Sequence, residues 1–169
     1  MNTCSPLHGE RVSQHPTCMS RSKSTSSSHN RGRGSTMGKS AARHSGKEAM
    51  IVCLSPDVCL TPMGPNMVPV PYMIVSRLDW SQRTVNNITF GGQEAFTMDS
   101  RTGMVSGNEP ATGGGIKSGI NTGWCRPLTN KSNVIVNGHP VLQDGCIYEM
   151  NCDGPDGTGN TLGKLRFVE

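Results

Sequence analysis

The sequence predicts an all-β fold: a small repeat of β-hairpins joined by proline-rich extended segments, with little helix, preceded by a disordered N-terminal arm. Three observations lead there. The stretch SNVIVNGHPVLQDG (Ser132 to Gly145) has a degraded copy, NNITFGGQEAFTMD, 46 positions earlier at Asn86 to Asp99. Five prolines fall between Pro56 and Pro71. Nowhere do apolar residues recur at helical spacing for more than a turn or two.

The repeat comes first because an internal period governs every other reading of a fold. Superposing the copies pairs Asn87 with Asn133, Gly92 with Gly138 and Ala95 with Val141. Ile88-Thr89-Phe90 then falls on Val134-Ile135-Val136. Each copy reads as a β-branched strand, a tight turn with glycine at its second central position, and a returning strand. Gly-Gly and Asn-Gly between such runs are strong hairpin signals, because primed turns require positive φ there.

The remaining elements follow in order. Residues 1–49 carry a net charge of +6, eleven serines and none of the seven aromatics. Such a segment cannot bury enough apolar surface to offset its chain entropy, so it is expected to be a disordered arm, or sequence translated upstream of a start at Met50. Residues 50–169 carry −2 and form the expected folded domain. Between Pro56 and Pro71 proline forbids helix and favours extended strands, with Ile51-Val52 and Met73-Ile74-Val75 as edge strands on either side. Gly107 to Gly123 is either a linker or a set of turns where backbones approach closely, with room for a short helix within Gly113 to Ile120.

Composition narrows the function. No apolar run approaches the ~18 residues of a membrane span, and no h-region follows the basic N-terminus, so neither a membrane segment nor a secretory signal peptide is expected. An odd total of seven cysteines argues against a fully paired secreted framework and for folding in a reducing cytoplasm. The basic arm admits contact with nucleic acid or an acidic surface, yet it lacks aromatics to stack on bases, so nucleic acid is not expected as a partner. Gly38-Lys39-Ser40 is no phosphate loop, because Arg33 stands where that loop needs glycine. Cys4 and Cys18 with His8, His15, His29 and His44 match no clustered zinc spacing.

A lean, glycine-rich domain usually needs a staple, and cysteine is the available one. If the hairpin units wrap around a common axis, Cys59, Cys146 and Cys152 can meet at one apex with Cys125 as a fourth ligand, in a tetrahedral zinc site. The competing expectation is that these thiols are small buried hydrophobes. No catalytic residue is expected. The folded part has one histidine, His139, in a hairpin turn, and its Asp57, Asp144 and Asp153 all neighbour Gly or Pro as turn formers do.

The segments SPDVCLTPMGPNMVPVPY (Ser55 to Tyr72), TGGGIKSG (Thr112 to Gly119), SNVIVNGHPV (Ser132 to Val141) and the closing MNC…GNTLG (Met150 to Gly163) together resemble the PAAR-like domain of bacterial type VI secretion systems. The resemblance covers Val52 to about Gly163. It implies a compact conical β-structure that caps and sharpens the trimeric valine-glycine-repeat spike protein. It also implies an effector or adaptor carried on the tip, and export by the secretion machine after cytoplasmic assembly. Founding members of the group bind zinc near the apex through histidines and a cysteine. This chain lacks those histidines, so zinc here would need cysteines instead. A toxin with its own enzymatic activity is the alternative, and only six residues follow Gly163 to hold one.

Overall fold

A computed structural model describes residues 40–45 and 48–167. The chain divides into two units, residues 1–36 and 37–169, and every described residue belongs to the second. Of the arm expected over residues 1–49, everything before Ser40 lies outside the described residues, as do the tail cysteines and histidines up to His29.

The described residues form an all-β domain. Its strands are β1 (Ala49–Cys53), β2 (Asp57–Met63), β3 (Asn66–Tyr72), β4 (Val75–Arg77), β5 (Ser81–Gln82), β6 (Val85–Phe90) and β7 (Gln93–Ala95). Then follow β8 (Arg101–Thr102), β9 (Gly114–Gly115), β10 (Trp124–Pro127), β11 (Ile135–Val136), β12 (His139–Pro140), β13 (Ile147–Cys152) and β14 (Thr161–Phe167). The one helical element described is a 3-10 turn, Leu78–Trp80. No helix forms in Gly113 to Ile120. Gly114 and Gly115 make β9 instead, and just before it the chain passes so close to β2 that a β-carbon on Gly113 would lie 2.7 Å from that of Leu60.

The largest sheet has the order β4-β1-β14-β13-β10-β8-β5. β1 alternates buried and half-buried residues and lies between β4 and β14, so it is an interior strand, and only β4 of the two expected edge segments is an edge. The proline segment folds into the β2–β3 hairpin, with β3 at the edge of a three-stranded sheet. Pro69 and Pro71 are tolerated there because an edge strand can leave one row of backbone groups unpaired. Both repeat copies are hairpins, β6–β7 and β11–β12. Their central residues Gly91, Gly92, Asn137 and Gly138 all have positive φ (60°, 79°, 49° and 81°), as the primed turn requires.

The main core is packed from Ile51, Ile74, Leu78, Phe96, Leu142, Tyr148, Met150 and Leu165, with Cys53, Cys125 and Cys146 among them as small apolar residues. A second, smaller cluster of Val85, Ala95, Val136 and Val141 holds the two hairpins together, with Ala41, Ile88 and Phe90 against it.

Candidate functional site

Two constellations stand out, one at each end of β14. The first is a ring of backbone hydrogen bonds among the segments 40–44, 94–98 and 140–144. The Ala42 N–H donates to Leu142 O (2.8 Å), the Leu142 N–H to Phe96 O (3.0 Å), and the Phe96 N–H back to Ala42 O (3.1 Å). One step outward a second ring of bonds runs in the opposite sense, His44 N–H to Glu94 O, Met98 N–H to Pro140 O and Asp144 N–H to Ser40 O, at 2.9, 2.9 and 3.1 Å. Each segment thus makes the same contacts, and the ring has pseudo-threefold symmetry. Ala42, Phe96 and Leu142 are equivalent and fully buried on the main-core side. Ala41, Ala95 and Val141 face the small cluster on the hairpin side.

This ring corrects the expected boundary at Met50. Residues 40–44 are the third copy of the repeat, and in sequence Gly38 stands four positions before Ala42 just as Gly92 and Gly138 precede Phe96 and Leu142. The copy escapes notice in the sequence because no β-branched run precedes it. Its usable signal was the glycine followed by two small apolar residues, Ala41-Ala42, at the spacing of Ala95-Phe96 and Val141-Leu142.

At the other end of β14, the fully buried Asp57 carboxylate gathers four strands and loops. Its Oδ2 accepts from Asn108 Nδ2 (2.8 Å), Asn151 Nδ2 (3.0 Å) and the Cys59 thiol (3.0 Å), and its Oδ1 from Asn160 Nδ2 (2.5 Å). The amide orientations are fixed from behind. Each asparagine Oδ1 accepts a backbone N–H, from Thr122 to Asn108, Gly123 to Asn151 and Lys117 to Asn160 (3.2, 2.9 and 2.7 Å). Asn151 reaches in from β13 with φ at 54°, a left-handed conformation that asparagine accepts more readily than most residues. Sequence reasoning missed this cluster, because Asp57 follows a proline and Asn108 and Asn160 each follow a glycine, contexts that read as turns, while Asn151 stands alone within a strand.

The expected zinc ligands are not brought together. Cys146 precedes β13 and Cys152 ends it, so they are separated by roughly 20 Å of extended chain. Cys146 and Cys125 belong to the main core, and Cys59 donates to Asp57. Among the described residues no three His, Cys, Asp or Glu side chains are grouped as metal ligands. Burial raises the thiols of Cys59 and Cys152 from 9.0 to about 12 and that of Cys125 to about 11; at Cys59 the bond to Asp57 adds to the effect. The Cys59 sulfur faces the amide nitrogens of Asn108, Asn151 and Asn160, which offer a cation no lone pair.

Nor do the described residues pair a thiol with an imidazole. His44 Nδ1 bonds Ser81 Oγ at 2.5 Å, and His139 is exposed on the β11–β12 hairpin. No described helix is long and apolar enough to cross a membrane.

Residues 50–157 match the Toxin PAAR-like domain family, and the chain belongs to that family. It is also 30% identical over 117 residues to a protein named Cysteine protease effector 1 from Escherichia coli O1:K1:H7, a match covering 68% of this chain and 22% of that relative. The chain therefore spans less than a quarter of the relative's length. No solved structure matches it.

Proposed function

We propose that this domain is the structural tip of a type VI secretion spike, seated with its threefold ring towards the end of the trimeric valine-glycine-repeat spike protein. The observation that carries the reading is the ring itself. One chain presents three equivalent segments around one axis, the symmetry needed to sit on a trimer without favouring one of its subunits. The hairpins β6–β7 and β11–β12 have only two strands each, which leaves outer edges able to continue the strands of a partner. Assembly takes place in the bacterial cytoplasm, and the domain leaves with the spike, carrying or recruiting an effector. Light scattering on a chromatographed mixture of the full chain and the spike tests this. One tip per three spike chains is the expected ratio, and absence of co-elution overturns the reading.

The name of the E. coli relative favours a second reading, an effector with its own protease activity. The shared stretch is a small part of that relative, and the described cysteines are buried, with neither described histidine hydrogen-bonded to one. We therefore place protease chemistry outside the shared domain and assign this domain no turnover. Hydrolysis of a casein substrate by the purified chain, abolished by a thiol alkylator, would reverse that assignment. A nucleic-acid role would rest on residues before Ser40, and nothing in the domain adds to it.

A further inference from the structure

We propose that the Asp57 cluster is a metal-free clamp, which closes the end of the domain opposite the ring in place of the zinc that the family resemblance implies. The cluster holds the ingredients that suggest a metal, a buried carboxylate beside a buried cysteine, yet every neighbouring group is turned the wrong way for one. A cation needs lone pairs pointing inward. Here the three asparagine oxygens point outward, each committed to a backbone N–H, and the three NH2 groups point inward at Asp57. The same amide nitrogens lie 3.7 to 3.9 Å from the Cys59 sulfur, so the thiol too is surrounded by N–H groups. Placing an ion between Asp57 and Cys59 would require all three amides to flip, stranding the backbone N–H groups of Lys117, Thr122 and Gly123.

The clamp's geometry accounts for its strength. A buried carboxylate is tolerated when hydrogen bonds replace its water, and this one accepts four while its partners are all neutral. Those partners come from parts of the chain far apart in sequence: β2, the loop before β9, the end of β13 and the turn into β14. Asn160 also donates to Val58 O and Asn151 to Ile120 O, at 2.9 Å each, so the hub is tied to β2 on one side and to the glycine-rich loop on the other. Asp57 therefore does what a metal would do, joining distant segments at one point.

The test uses the full chain, without the spike, produced in zinc-supplemented medium. Elemental analysis is expected to find zinc below about one-tenth per chain, and a chelator to leave the melting temperature unchanged. Cys59→Ala should cost little, whereas Asp57→Asn, which sets a fourth amide against the other three, should lower melting by 10 °C or more on the scale of about 4–8 °C per kcal/mol for small domains. If Asp57→Asn does not fold, spectra of the unmodified chain serve instead: three asparagine NH2 pairs should exchange slowly with solvent. Near-stoichiometric zinc, a chelator-induced fall in melting temperature, or rapid exchange of those three amides would each overturn the clamp. None of these outcomes depends on whether the ring binds a spike.

Discussion

Gly138 and Gly115 separate two reasons for which this chain uses glycine. At Gly138 a β-carbon would meet nothing within 4 Å, so Gly138→Val is costly only through its φ of 81°. A loss of about 1–2 kcal/mol in chemical denaturation is expected, the usual cost of a left-handed side chain. At Gly115 a β-carbon would lie 2.5 Å from Asn160 Cγ and 2.7 Å from its Nδ2, so Gly115→Ala strikes the Asp57 cluster directly and should cost more, about 2–3 kcal/mol. The buried thiols add a pH effect. In the folded chain Cys59 and Cys152 are raised to about 12 and Cys125 to about 11, whereas unfolded thiols ionise near 9. Folding then keeps protons that the unfolded chain gives up, so stability is complete below pH 9 and falls as pH rises from 9 towards 12. Melting curves across that range should show the fall, and Cys125→Ala should make it shallower.

At the scale of elements, what the sequence disclosed depended on whether a signal was local. The hairpins at Gly91-Gly92 and Asn137-Gly138 were legible because turn chemistry and flanking β-branched residues lie within a dozen residues. The β2–β3 hairpin was half legible, since proline announces extended chain but not its partner. The burial of β1 depends on β14, more than a hundred residues away, and no local pattern reports that. The Asp57 cluster was hidden for the same reason, its four partners being single polar residues with no shared spacing. The segment 40–44 was misassigned because serine, lysine and alanine dominate the composition around it, while its role is set by backbone hydrogen bonds that any residue can make. A chain beginning at Met50 loses Ala42 and leaves the Leu142 carbonyl and Phe96 N–H of the ring without partners. Buried groups left unpaired cost about 1–3 kcal/mol each, so this truncation should be markedly less stable than the full chain. Limited proteolysis gives an independent check: the resistant fragment, sized by mass spectrometry, should retain Ser40 to His44.

For the whole molecule, β14 gives the domain a direction. It runs for roughly 20 Å from Thr161, beside the Asp57 cluster, to Phe167, whose N–H donates to Asp144 near the ring and whose aromatic face lies under Arg43. The two ends differ in what they can do. The cluster end is locked internally, its polar groups directed at one another, whereas the ring end carries short hairpins with open edges. Ile135 on β11 is 67% exposed at that end, and Leu162 on β14 is 43% exposed at the other. If the ring end meets the spike, Ile135→Glu buries an uncompensated carboxylate in the interface and should weaken spike binding tenfold or more, at a cost of about 1.4 kcal/mol or above. Leu162→Glu, with the same change of charge, should leave the affinity unaltered. Both positions are surface sites, so neither variant should shift the melting temperature by more than a degree or two. Isothermal titration of each variant against the trimeric spike decides between the ends, and equal affinities would mean that the spike does not use the hairpin face.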